Sequence, residues 1–263
     1  MTTPYDKPVF RPAGDAAIVV EVGDAIGLAI NNRVHALDRA IRRRPIAGLL
    51  DLVPAYRSLL ILYDPLALSA GAVREHVTTL WEETATAGPA FGRVVRIPTC
   101  YGGEFGPDLP FVAAHARLSV EEVVAIHASA DYPVYMMGFS PGFTYLGGMS
   151  ERIAAPRLKT PRTSIPAGSV GIAQQQTGIY PVESPGGWQL IGRTPVRLFD
   201  PLREPPTAVE PGDSIRFVPI DVAGFEQIRK AVETGRYEID ARAAPRCGNL
   251  CRLTRSKSSR PGR

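Results

Sequence analysis

The chain has 263 residues, 44% of them apolar, with 30 basic and 26 acidic side chains and a formal charge of +4. Such an apolar share supports a packed core in one large or two smaller domains and excludes the disordered and fibrous classes. The positive charge does not point to nucleic acid: seven basic residues and no acid follow Asp240, so residues 1–240 carry 23 basic against 26 acidic groups.

MTTPYDKPVF lacks the basic-then-apolar pattern of a secretory leader, and no run of 18 apolar residues occurs. The expectation is a cytoplasmic protein with no membrane partner. Residues 241–263 are basic, have little apolar periodicity and read as a disordered tail. Cys100, Cys247 and Cys251 are too few for a disulfide framework, and no Cys or His set has metal-ligand spacing, so no metal site is expected.

In chain order, AIVVEVG at 17–23 reads as a strand. From Asp24, the spacing of Ile26, Ile30, Val34, Leu37 and Ile41 predicts an amphipathic helix. Arg42 to Arg44 suit its negative end, and Pro45 stops it. GLLDLV at 48–53 and SLLILY at 58–63 read as strands. Ser69 caps a second helix whose Val73, Val77, Leu80 and Trp81 share a face, and RVVRIP at 93–98 is a further strand. The order β-α-β-β-α-β predicts an N-terminal split βαβ (ferredoxin-like) domain over about 1–90.

Past residue 91, Pro107 opens a short helix, and Ser119 with Glu122 forms a capping box for a second one that ends near His127. From Tyr132 to Asp200, turns rich in Pro and Gly separate short β-branched and aromatic runs, which predicts strands joined by loops of specified shape. SIRFVP at 214–219, a helix from Asp221 through Val222, Phe225, Ile228 and Val232, and an edge strand RYEI close a second domain over 91–240. The fold class is therefore α+β.

Gly138-Phe-Ser140-Pro-Gly142 matches the G-x-S-x-G nucleophile pattern, but Pro141 and Gly142 replace the helix that pattern needs. All four histidines also lie upstream of it, so Ser140 is not a triad nucleophile. No phosphate-binding glycine loop occurs. The polar groups on the β-region loops are Arg157, Lys159, Arg162, Gln174 to Gln176, Tyr180, Glu183 and Arg193. Guanidinium forks grip carboxylate or phosphate and Gln pairs with an amide, so the set suits an anionic substrate that contains an amide. Glu183, the one acid between Arg152 and Arg197, is the acid–base candidate, and His127 is a second because imidazole titrates near neutrality.

GFSPGFTYL, PRLKTPR, IPAGSVGIAQQQTGIYP, SPGGWQLIGRTP and, upstream, YGGEFGPDL closely resemble the signature of the family of 5-oxoprolinase B subunits, also called the allophanate hydrolase subunit 1 or KipI family. The resemblance covers most of residues 10–240. It implies a cyclophilin-like β-barrel for the second domain, with Gly138, Pro141, Gly142, Phe143, Gly186 and Gly187 shaping the site loops. It also implies ATP-dependent opening of 5-oxo-L-proline to L-glutamate with ATP and Mg²⁺, in a complex with subunits C and A. Substrate or phosphate contacts are expected from Arg157, Lys159, Arg162, Gln176, Tyr180 and Arg193. The same family includes inhibitors of a sensor histidine kinase and the carboxyltransferase half of urea carboxylase, which are the competing functions.

Overall fold

A computed structural model of the protein describes residues 3–85 and 92–243. Its N-terminal part runs β1 (Val9–Pro12), β2 (Ala17–Glu21), α1 (Leu28–Arg43), β3 (Leu49–Pro54), β4 (Ser58–Tyr63) and α2 (Ala70–Ala85). The strands form one antiparallel sheet in the order β1-β2-β4-β3. Alternation in β2 and β4 buries Ile18, Val20, Leu59, Ile61 and Tyr63 against Ile30, Val34, Leu37 and Ile41 of α1 and Val73, Val77, Leu80 and Trp81 of α2. The Ser69 hydroxyl caps α2 by accepting from Ala72 N at 3.2 Å.

Two expectations are corrected here. Helix α1 begins at Leu28 rather than Asp24, which leaves Ile26 59% exposed. The fourth strand of the sheet is β1, not the 93–98 segment, so the layer is built β-β-α-β-β-α. β1 is short, ends in Pro12 and sits at the sheet edge, where a missing N–H costs no ladder bond.

The 93–98 segment belongs to β5 (Arg93–Tyr101), which enters a second sheet. After it come α3 (Leu109–Ala116), α4 (Val120–Ala128), β6 (Tyr132–Met137), β7 (Thr144–Leu146), β8 (Arg162–Ile165), β9 (Ser169–Ala173), β10 (Gln176–Ile179), β11 (Ser184–Gly186), β12 (Gln189–Arg193), β13 (Ser214–Ile220), α5 (Val222–Glu233) and β14 (Ala241–Ala243). Strands β12-β9-β10-β7-β6-β13-β5 lie side by side, and β12 pairs back onto β5 through Gly192 with Tyr101 and Arg193 with Cys100. The result is a closed seven-stranded barrel, consistent with the cyclophilin-like fold, with β5 and β13 parallel. Val95, Ile97, Val134, Leu146, Val170, Ile172, Ile179, Ile191, Ile215 and Phe217 are buried in its core, which α3 and α4 extend with Leu109, Val112 and Val123.

Ser119 and Glu122 form the expected capping box of α4, with bonds of 3.1 and 2.7 Å. Pro110 rather than Pro107 stands in the first turn of α3. RYEI forms no strand. The edge strand is β14, which pairs with β5 through Ala241, Arg242 and Ala243, so the ordered fold reaches residue 243. The expectations for the rest of the tail, including Cys247 and Cys251, fall outside the described residues. Among the described residues no helix is long and apolar enough to cross a membrane.

The two parts are tied by hydrogen bonds to one carbonyl. Asn31 Nδ2 and His35 Nε2, both on α1, donate to Tyr135 O of β6 at 3.1 Å each. Tyr56 packs edge-on against Tyr135 and Tyr145, and its hydroxyl accepts from Gln176 Nε2 at 2.6 Å. Burial and the Arg39 charge push His35 down to about 4, outweighing its bond to Tyr135.

His127 is fully buried in the barrel core. Thr177 Oγ1 donates to Gly171 O at 3.0 Å and so accepts from His127 Nε2 at 2.8 Å, which leaves Nδ1 to accept from Tyr101 OH at 2.8 Å. The imidazole is thus a neutral Nε2–H tautomer, and burial pushes it down to about 3. Its place in the core corrects the acid–base reading, because a proton shuttle needs access to substrate or solvent.

Both histidines have folded pKa values below the unfolded one, so the unfolded chain binds more protons as pH falls through about 6.5. Stability is complete above that pH and is lost below it, each group adding a slope of about 1.4 kcal/mol per pH unit between about 6 and 4. Urea unfolding across this range is expected to show the combined slope. His35→Gln, which keeps a donor for Tyr135 O, is expected to remove about half of it, and an unchanged slope refutes the assignment.

Candidate active site

The loop between β6 and β7 shapes a cleft. Gly138 N donates to Phe143 O at 3.1 Å and Phe143 N to Ser140 O at 3.0 Å, which closes a tight turn. Phe139 sits at its tip, 65% exposed and held at φ +63°, a conformation that costs a non-glycine residue about 1–3 kcal/mol. Gly142 follows at φ +79°, where a Cβ would lie 2.8 Å from Phe199 Cβ, so only glycine lets the turn seat against the barrel.

The turn delivers Phe143 to the centre of an aromatic cluster. Its ring meets Phe139, Tyr145, Tyr180 and Trp188 edge-on at centroid distances of 5.1 to 5.7 Å. These rings, with Arg157, Pro161, Pro185, Gly186 and Gly187, line a cleft of about 320 Å³. The Arg157 guanidinium stands 6.0 Å from the Trp188 ring centroid and has no ion-pair partner among the described residues. Leu158 N donates to Gly187 O at 2.8 Å, fastening the PRLK loop to the SPGG loop. Burial pushes the Tyr180 phenol up, against a Trp188 backbone bond and the charges of Arg157 and Arg162, so the hydroxyl keeps its proton at neutral pH.

Arg162, expected among the anion binders, is already engaged. Its Nη2 donates to Asp108 Oδ1 at 2.8 Å, and its Nη1 lies 3.5 Å from Trp188 O. Asp108 stands at the N-terminus of α3 without capping it, because its second oxygen accepts from Leu190 N at 2.7 Å while its own N–H donates to Leu190 O at 2.9 Å. Asp108 and Arg162 therefore act as a clamp that holds β8 and β12, and with them Trp188, in place.

The other expected groups are dispersed. Gln176 uses its amide on Tyr56, at the junction of the two parts. Gln174 and Gln175 are exposed at the β9–β10 hairpin, and Lys159 is exposed on the loop that carries Arg157. Glu183 is exposed, accepts from Ser164 Oγ at 2.8 Å, and lines a second cleft together with Arg193. Of the expected set, the aromatic cleft gathers Arg157, Tyr180, Phe143, Gly186 and Gly187, with Gly138, Pro141 and Gly142 shaping its turn. Sequence reasoning missed Trp188 as a wall and Asp108 as the clamp. The first was legible as the single Trp after Gly-Gly, whereas the second reads from sequence as an ordinary helix cap.

Barrel, sheet-and-helix layer and loop-built clefts define a mixed α+β barrel protein whose recognition surfaces are turns. Residues 8–209 match the family described as carboxyltransferase domain, subdomain C and D. The chain is 48% identical over 227 residues to the 5-oxoprolinase B subunit of Bacillus subtilis (strain 168), covering 82% of this chain and 95% of that one. A conserved uncharacterized protein from Pyrococcus horikoshii is 51% identical, with a TM-score of 0.51 over 82% of this chain and all of that one. The K. lactis urea amidolyase shares the fold, with a TM-score of 0.74 at 22% identity over 92% of this chain and 17% of that one. The chain belongs to the carboxyltransferase subdomain C and D family, in the branch of the 5-oxoprolinase B subunits.

Asp108→Asn keeps the shape of the clamp but leaves the Arg162 charge partly buried and unpaired. It is expected to destabilise the chain by about 2–4 kcal/mol, with Arg162→Lys close behind because an ammonium lacks the planar fork. Denaturant midpoints check this. A shift within about 0.5 kcal/mol, typical of a surface change, refutes the clamp.

Proposed function

We propose that the chain acts as the B component of an ATP-dependent 5-oxoprolinase, working with subunits C and A to convert 5-oxo-L-proline, ATP and water into L-glutamate, ADP and phosphate. The observation that carries this reading is the aromatic cleft with one unpaired guanidinium at its rim. A flat five-membered lactam bearing a carboxylate matches that chemistry. The ring packs against Phe143, Trp188 and Tyr180, which exclude water, and Arg157 pairs with the carboxylate.

The protonated Tyr180 hydroxyl serves as a hydrogen-bonding group, not as a base. Glu183 does not line this cleft, so no proton transfer at the ring is assigned to it. Activation of the lactam is a harder task, because an unstrained amide is a poor electrophile until its oxygen becomes a leaving group. The aromatic cleft is lined by no carboxylate, whereas Mg²⁺ takes carboxylate and phosphate oxygens, so the ion is not assigned to this cleft. In this reading ATP and Mg²⁺ are handled by the assembled complex, and this chain positions the ring.

The purified chain is expected to show no 5-oxoproline hydrolysis until subunits A and C are added. In the reconstituted complex, Arg157→Lys and Trp188→Leu are expected to raise KM by about 10- to 100-fold with a smaller change in kcat, since both remove binding present before the chemical step. Turnover by the single chain, or unchanged KM in both variants, overturns the reading.

A further inference from the structure

The second cleft lies on the far side of the loop that carries residues 181–187, under α5, and encloses about 530 Å³. Phe199 and Phe225 form its apolar wall, and three arginines, Arg193, Arg197 and Arg229, reach into it. Two are neutralised in place: Arg197 pairs with Asp200 at 3.2 Å, and Arg229 with Glu226 and, at 2.8 Å, with Glu233. The third is not. Among the described residues the Arg193 side chain has neither a hydrogen bond nor an ion pair, and its Nε is sealed from solvent.

Arg193 is nonetheless held firmly. Its backbone pairs with Cys100 on one side and Ser169 on the other, at the seam that closes the barrel. Its guanidinium lies 5.7 Å from the Phe105 ring centroid, and Phe105 packs in turn against Phe225 in a tilted pair at 4.5 Å. With Nε enclosed and one face on an aromatic ring, the Nη edge is the part left to the cleft. A guanidinium fixed in this way, unpaired and half buried, is prepared for a bidentate oxyanion, since an unsatisfied charged donor is costly to keep.

We infer that this cleft is a second binding site, separate from the aromatic cleft, that takes a carboxylate or phosphate group on the Nη edge of Arg193. Glu183 also lines the cleft and sets the charge limit of the site. An anion meets repulsion there, whereas a ligand that also carries an ammonium group gains a partner. The inference does not depend on what the aromatic cleft binds.

The sealed Nε–H of Arg193 exchanges slowly and gives a resolvable arginine side-chain resonance, so the full-length chain is titrated by NMR with inorganic phosphate and, separately, with acetate. A saturable shift of that resonance and of the Gly168 and Thr194 amides is expected. Arg193→Lys, followed through those amides, is expected to weaken binding about 10- to 150-fold, the loss of one charge-assisted pair. Glu183→Gln, which removes the opposing charge without touching Arg193, is expected to tighten it several-fold. A stronger response to phosphate than to acetate assigns a phosphate-bearing ligand, and the reverse a carboxylate. Shifts that do not saturate at tens of millimolar, or equal affinity in the wild type and both variants, overturn the site.

Discussion

The structure depends on a narrow closure. A seven-stranded sheet becomes a barrel only if β12 reaches β5, and it does so through two residue pairs, Gly192 with Tyr101 and Arg193 with Cys100. The approach is so close that a Cβ at Gly106 would stand 2.0 Å from Ile191 O, which makes glycine a condition of closure. Asp108, two residues further on, grips Leu190 through both its carboxylate and its own N–H. The YGGEFGPD turn therefore serves as the latch of the barrel, and the loops that carry the clefts are positioned by what it holds.

That closure also explains why the chemistry divides. Strand β12 follows directly on Trp188, a wall of the aromatic cleft, and ends at Arg193, a wall of the charged one. The loop at 180–187 separates the two spaces and gives Tyr180, Pro185, Gly186 and Gly187 to one, and Pro181, Val182 and Glu183 to the other. Residues adjacent in sequence thus line different clefts. The polar set read along the loops as one site is, in space, divided between two clefts, the Asp108 clamp and the junction at Tyr56.

Local signals were legible in the sequence because they are settled within a few residues. The Val73, Val77, Leu80 and Trp81 stripe, the Ser119–Glu122 box and the turn at Gly142 needed only spacing and backbone freedom. What could not be read was membership. A β-branched run such as 93–98 announces a strand but not its neighbour, and only the pairing with β13 places it in the barrel. The same limit hid Asp108, whose partners Arg162 and Leu190 are 54 and 82 residues away, and made Arg162 look free to bind a ligand. His127 was misread for a related reason: its polarity is spent on Tyr101 and Thr177 inside an apolar core, an arrangement that no helical position announces.

The chain's two tryptophans fall one in each part of the fold. Trp81 is buried between α2 and the N-terminal sheet, with Nε1 bonded to Asp6 O at 2.8 Å and the Arg33 guanidinium 4.3 Å from its ring centroid. Trp188 borders the barrel's aromatic cleft. Intrinsic fluorescence therefore comes from two reporters that can be silenced one at a time. Their melting curves tell whether the hydrogen bonds from Asn31, His35 and Gln176 are enough to make two separate cores unfold as a single cooperative unit.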